Sequence, residues 1–312
     1  MVATTTVAPN SSTASESEPG TVVPVNDTLL DLGGPVRITD YGGAGSLLLL
    51  VHGLGGSTEN WDAVGPDLSN SGHAVAIDLV GFGDSEPGDR RPSVEDNAEL
   101  VAEVVPLLGY ENATLIGNSM GGLISLIAAA ERADRVERIV LVNPALPVSR
   151  RHPPDVEVLT KLLGPLIPGI GVPAFRAYRA AHSPEEETAE TLKMITADPS
   201  TVSDWVEERL SDANRRRRGQ EWAIPAFLEA DRSIARYVLR PHRYRRLIHR
   251  IGAPTLLIHG VEDRLVSVDS ARWLASERPC WEYVEMDGVG HVPMLEASDR
   301  FVSIVGNWLV ES

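Results

Sequence analysis

The sequence predicts an α/β protein: a mostly parallel sheet flanked by helices, with a helical cap domain inserted between two of its strands. Two observations carry that prediction. Apolar runs of strand length alternate with segments of helical periodicity, as parallel strands and their crossover helices require. The alternation stops once, from Leu146 to Ile251, and then resumes.

Taken in order, the strand Ser46 to His52 is followed by a helical pattern at Asn60 to Ser69, and Ala74 to Leu79 by Val94 to Leu108. Ala113 to Asn118 precedes the helical Met120 to Ala133, and Ile139 to Asn143 closes the first part. Within the interruption, Val156 to Leu163, Glu185 to Thr196, Val202 to Ala213 and Ala223 to Leu239 have helical spacing, and no segment reads as a buried strand. Strands return at Thr255 to His259 and Trp281 to Met286, and a helix near Ser298 to Val310 ends the chain. Leu146-Pro147 with Pro153-Pro154 marks the exit from the sheet, and Gly252-Ala253-Pro254 the return. The expected organisation is a disordered tail at 1–24, a core of 25–145 and 252–312, and a helical lid at 146–251.

Composition narrows the function. With 43% hydrophobic and 23% charged residues the chain has ample material for a core. A net charge of −16 repels phosphate backbones, so nucleic acid is not an expected partner. The single cysteine, Cys280, cannot form an internal disulfide, and no Cys/His cluster has zinc-ligand spacing. No metal or cofactor is expected, and a reducing cytoplasm is the expected location. The first twenty residues lack the basic and apolar regions of a signal peptide, and no apolar run reaches the length of a membrane span. The oligomeric state is left open.

Chemistry concentrates in three places. The strand ending at Asn118 runs into Gly117-Asn118-Ser119-Met120-Gly121-Gly122 and then a helix, which is G-x-S-x-G in its strand-turn-helix setting. Ser119 is the expected nucleophile. A residue on so tight a turn takes strained dihedrals, and Gly117 and Gly121 let strand and helix approach without a Cβ clash. A hydroxyl is a weak nucleophile at neutral pH, so a base must come from elsewhere. His291, in the Gly288-Val289-Gly290-His291 loop after the last strand, is the expected base. Asp263, in the turn Glu262-Asp263-Arg264 after the preceding strand, is the expected acid that orients it; Glu262 is the alternative, since only one of two successive residues can face the imidazole. The expected oxyanion donors are the backbone N–H groups of Met120 and of Leu54, in the glycine-rich turn His52-Gly53-Leu54-Gly55-Gly56.

Together these residues resemble the α/β-hydrolase family, serine-nucleophile esterase and lipase-like branch. The likeness spans about residues 26–145 and 252–312 and includes the Asp78-Leu79-Val80-Gly81-Phe82-Gly83-Asp84-Ser85 stretch, which the resemblance assigns to shaping the fold near the pocket. It implies a serine hydrolase acting on a small-molecule or lipid ester. Epoxide hydrolases and haloalkane dehalogenases resemble the chain around His291 but use aspartate where Ser119 stands. Carbon-carbon hydrolases of aromatic ring-cleavage pathways share the Gly-Asn-Ser-Met-Gly-Gly elbow; their histidine is typically followed by tryptophan, and here Val292 follows. A slow-turnover ligand receptor that keeps the triad is the alternative outside catalysis.

The lid differs in charge from the core. Leu146 to Ile251 carries 18 Lys and Arg against 14 Asp and Glu, a net of +4, which leaves 10 against 30 elsewhere, a net of −20. Arg215 to Arg218 and the run Arg240, Arg243, Arg245, Arg246 and Arg250 form two basic clusters. They suit pairing of lid to core, or peripheral docking of the lid on an anionic membrane beside the apolar Leu162 to Phe175 segment. That segment equally suits the wall of a pocket for a lipophilic acyl chain.

Overall fold

A computed structural model of the chain describes residues 26–148 and 171–311. The expected tail, the helix at Val156 to Leu163, and most of the Leu162 to Phe175 segment lie outside the described residues. Eight strands form one sheet in the order β1-β2-β4-β3-β5-β6-β7-β8. They are β1 (Asn26–Asp31), β2 (Pro35–Gly42), β3 (Leu47–Val51), β4 (His73–Ile77), β5 (Ala113–Asn118), β6 (Val136–Val142), β7 (Thr255–Gly260) and β8 (Glu282–Met286). β1 and β2 pair antiparallel, as do β2 and β4, and every other pairing is parallel.

The central strands are continuous apolar runs because both faces of a parallel sheet are covered. Every residue of β3 and of β5 is buried. Beneath one face lie α2 (Val94–Leu107), α3 (Met120–Glu131) and α9 (Val268–Glu277), and beneath the other α1 (Gly65–Leu68) and α10 (Ser298–Glu311). The one helix expected at Asn60 to Ser69 is instead a 3₁₀ turn at Thr58–Trp61 followed by the single turn α1. Gly65 and Pro66 explain the break: proline is favoured only in a helix's first turn, and here it begins a new one.

Between β6 and β7 the described residues form α4 (Gly171–Ala181), α5 (Pro184–Ile195), α6 (Asp204–Arg218), α7 (Ala223–Val238) and α8 (Pro241–Ile248). Ser183 caps α5 through a capping box with Glu186, which fixes its start. This basic segment is tied to the acidic core by ion pairs: Arg209 to Asp62 at 2.9 Å, Arg216 to Asp84 at 3.2 Å, Arg243 to Glu95 at 3.3 Å and Arg245 to Glu277 at 2.7 Å. Tyr244 and Ile248 of α8 are fully buried in the same apolar cluster as α3. Asp78, past the end of β4, accepts from the Thr58 and Asp84 amides at 2.7 and 2.8 Å and so folds the Asp78 to Ser85 loop around itself. Burial and the neighbouring Glu59 push its carboxyl up to about 7 against the pull of Arg37.

Candidate active site

β5 delivers Ser119 and α3 leaves from it. Ser119 sits at φ 54°, ψ −115°, a region that costs a non-glycine residue roughly 1–3 kcal/mol and persists only when its surroundings dictate it. Here they do. Ser119 N donates to Val142 O at 3.0 Å, and its carbonyl accepts from Leu123 N at 3.2 Å and Ala145 N at 2.9 Å. The flanking glycines behave as the motif requires. A Cβ on Gly117 would lie 2.4 Å from Gly121 O, and one on Gly121 would lie 2.1 Å from Val51 O.

The expected acid and base meet. His291 Nδ1 lies 2.7 Å from Asp263 Oδ2, and both residues are buried. Asp263 Oδ2 also accepts from Asn143 Nδ2 at 2.7 Å, and Oδ1 accepts from Leu265 N at 2.8 Å and Val266 N at 3.0 Å. Burial disfavours its ionised form, but the His291 ring and these hydrogen bonds outweigh it and hold the carboxyl below its ordinary value. A carboxylate only accepts, so Nδ1 of His291 donates in this contact, and in the neutral ring that tautomer leaves the lone pair on Nε2.

Glu262 does different work: its Oε2 accepts from Val289 N at 3.0 Å and clips the β7 turn to the histidine loop. A second histidine approaches the acid. His259 Nε2 is 3.5 Å from Asp263 Oδ2, yet it lies 2.8 Å from Val266 O. Burial lowers its pKa, so it is a neutral ring that donates to that carbonyl and leaves Asp263 to His291.

Two asparagines that sequence reasoning passed over hold the three loops in register. Asn118 Nδ2 donates to His291 O at 3.0 Å and to Val142 O at 3.1 Å. Asn143 Nδ2, besides reaching Asp263, donates to Gly290 O at 3.1 Å. Their available signal was position: each sits where a central strand ends, Asn118 immediately before the serine. Asn143 also takes φ 44°, a conformation asparagine tolerates better than most residues. From the other side, Glu296 accepts from Gly290 N at 3.0 Å and from Ala197 N at 2.7 Å, and His291 N donates to Ile195 O at 2.7 Å. The end of α5 thus grips the histidine loop.

The glycine-rich turn after β3 borders the serine: a Cβ on Gly53 would lie 3.1 Å from Ser119 Cβ. Gly56 N closes the turn on Gly53 O at 3.0 Å, with Gly55 at φ 74°. His52 braces it from within. Burial lowers the His52 pKa to about 4, so the ring is neutral; Nδ1 donates to Gly53 O at 2.7 Å and Nε2 accepts from Leu79 N at 3.0 Å. Leu54 is half-buried on this turn. Met120 begins α3, where an N–H has no acceptor within the helix.

A family model for the alpha/beta hydrolase fold matches residues 46–298. The chain belongs to that family. Among its relatives, a 2-hydroxymuconate semialdehyde hydrolase of Pseudomonas sp. (strain CF600) is 29% identical over 277 residues, 86% of this chain and 89% of that protein. Lipase 1 of Psychrobacter immobilis is 26% identical over 261 residues, 82% of this chain and 74% of that protein. The solved structure of a meta-cleavage product hydrolase from Pseudomonas fluorescens IP01 superposes with a TM-score of 0.70 at 22% identity, covering 92% of this chain and 98% of that one. The relatives of this α/β hydrolase thus include proteins named as a lipase and as a hydrolase of 2-hydroxymuconate semialdehyde. Among its described residues no helix is long and apolar enough to cross a membrane.

Proposed function

We propose that the protein is a serine hydrolase that cleaves a carboxylic ester, with Ser119 as nucleophile, His291 as general base and acid, and Asp263 as the group that orients it. The observation that carries this reading is the Asp263–His291 contact at 2.7 Å, in a loop whose carbonyl is held by the residue next to the strained Ser119. Ser119 Oγ bonds to the ester carbonyl carbon as its proton passes to His291 Nε2, and the carbonyl oxygen becomes an oxyanion held by the Leu54 and Met120 N–H groups. When the carbon-oxygen double bond re-forms, the ester bond breaks and the alcohol leaves with the proton from His291. Water, deprotonated by the same imidazole, then releases the acid and restores Ser119. Helices α4 to α8 serve as the lid, and the Phe175 and Phe227 rings, 5.6 Å apart, give it an apolar surface for an acyl chain.

Hydrolysis of p-nitrophenyl esters of increasing acyl length, with Ser119→Ala in parallel, tests this. Serine-dependent release of nitrophenol is the expected result, and ester hydrolysis that survives Ser119→Ala sinks the mechanism. A second reading is favoured by the 29% identity to the 2-hydroxymuconate semialdehyde hydrolase. It is cleavage of a carbon-carbon bond in a vinylogous diketone, recognised by bleaching of a coloured ring-cleavage product where the esters are left intact.

A further inference from the structure

Helix α6 ends in four consecutive arginines, and three of them are neutralised. Arg215 pairs with Asp212 and Glu185, Arg216 with Glu59 and Asp84, and Arg218 with Glu187. Arg217 is the exception. Its Nη2 donates to Gly56 O at 3.3 Å, its Nε is buried without a hydrogen-bond partner, and it enters no ion pair among the described residues. Burial, with Arg179 nearby, brings its pKa down to about 10, so it remains a cation at neutral pH. The residue is half-buried, and Glu187, Asp78 and Glu59 oppose its charge without a direct ion pair among the described residues, so the guanidinium keeps donor capacity for a further acceptor.

Its position indicates the use. A Cβ on Gly55 would lie 3.8 Å from Arg217 Nη1 and 3.4 Å from the Phe227 ring, and Gly53, two residues back on the same turn, abuts Ser119. At the usual Cα spacing the guanidinium is on the order of 10 Å from the serine. Its sequence neighbours Arg218 and Gln220, with Arg176, Arg179 and Glu221, are among the residues that line an adjoining cavity of about 330 Å³, three cations against one carboxylate. The one donor bond from Nη2 to Gly56 leaves Nη1 and the second N–H of Nη2, one edge of the fork, for a planar, singly charged acceptor, which a guanidinium matches in shape.

We propose that Arg217 binds a carboxylate carried by the substrate, so that the enzyme takes esters whose far end is an acid, such as monoesters of dicarboxylic acids. The substrate class rests on the ester reading above; the anion site itself does not. The alternative role for Arg217, bracing the turn through Gly56 O, affects charged and neutral substrates alike, and this separates the two.

The test compares mono-p-nitrophenyl adipate with p-nitrophenyl hexanoate, which have acyl chains of equal length, in the full chain and in Arg217→Gln, Arg217→Lys and Arg215→Gln. The wild-type protein prefers the adipate. In Arg217→Gln the adipate-to-hexanoate ratio of kcat/KM falls by about tenfold or more through KM, as loss of a charged hydrogen bond implies, and Arg217→Lys recovers part of it. A ratio unchanged in Arg217→Gln, or lowered equally by Arg215→Gln, overturns the proposal. If neither ester is hydrolysed the ester reading fails by itself, and titration calorimetry with adipate decides the anion site. Binding that is lost in Arg217→Gln supports the site, and no binding to the wild-type protein overturns it. A wild-type protein that does not prefer the adipate overturns the proposal whether or not the Gln variant folds.

Discussion

Replacing Asp263 by Asn asks whether this carboxylate sets the proton position on His291. It accepts four hydrogen bonds, from Asn143 Nδ2 and His291 Nδ1 on one oxygen and from the Leu265 and Val266 amides on the other. An amide offers a single accepting oxygen. If that oxygen stays with the two backbone amides, the amide nitrogen faces two other donors, and the imidazole must present a bare Nδ1. Nε2 then holds the proton and cannot take one from Ser119. If the amide flips, the backbone donors lose their acceptor instead. Either way buried donors go unpaired at roughly 1–3 kcal/mol, so the Tm falls. In the serine-histidine-aspartate template the wrong tautomer lowers kcat about ten-thousand-fold, or about 5 kcal/mol of barrier. Initial rates with p-nitrophenyl butyrate from neutral to alkaline pH, alongside calorimetric melting, read both effects. A kcat within about tenfold of wild type refutes the assignment. Glu262→Gln supplies the contrast, because that carboxylate meets Val289 N rather than the imidazole; its kcat should stay within about tenfold of wild type.

Ser119→Gly relieves the positive φ and should raise stability by about 1 kcal/mol while abolishing turnover, read by thermal melting and ester hydrolysis. Asn118→Ala severs the tie to His291 O; unfolding in urea should show a loss of roughly 1–3 kcal/mol, and kcat should drop more than KM rises. His52 is neutral in the folded protein with a pKa of about 4, against about 6.5 when unfolded. Its contribution to stability is therefore whole above the unfolded value and is lost as pH falls toward the folded one, by about 3 kcal/mol at most. Urea titrations of the wild-type protein and His52→Gln between those values should show a shallower decline in the variant.

The parts of the site that could be read from the sequence are those whose chemistry forces a local pattern. The serine turn needs small residues at fixed offsets, and Gly117 and Gly121 stand within 2.4 Å of backbone oxygens wherever a Cβ would go. Strands β3 and β5 announced themselves because burial on both faces demands unbroken apolar runs. β1 gave no such signal. As an edge strand it is mostly exposed, and Asn-Asp-Thr-Leu-Leu-Asp reads as a loop until the β2 register Leu29 to Arg37 is known. Asn118 and Asn143 were opaque for a related reason: what they bond lies 173 and 147 residues away along the chain. Alternation said only that one of Asp263 and Glu262 could face the imidazole, and the structure separates their partners. The basic clusters were visible as charge, but that Arg217 alone of its run lacks a carboxylate depends on how α6 is turned.

The 2.7 Å bond from His291 N to Ile195 O joins the imidazole's own backbone to the end of α5. A graft that exchanged residues between β6 and β7 for those of another hydrolase would thus inherit a loose histidine unless it also supplied a carbonyl at that spot. The same amide is a built-in gauge of motion: its hydrogen exchange reports how often α5 lifts from the sheet. An opening that admits substrate while that proton stays protected must come from helices other than α5.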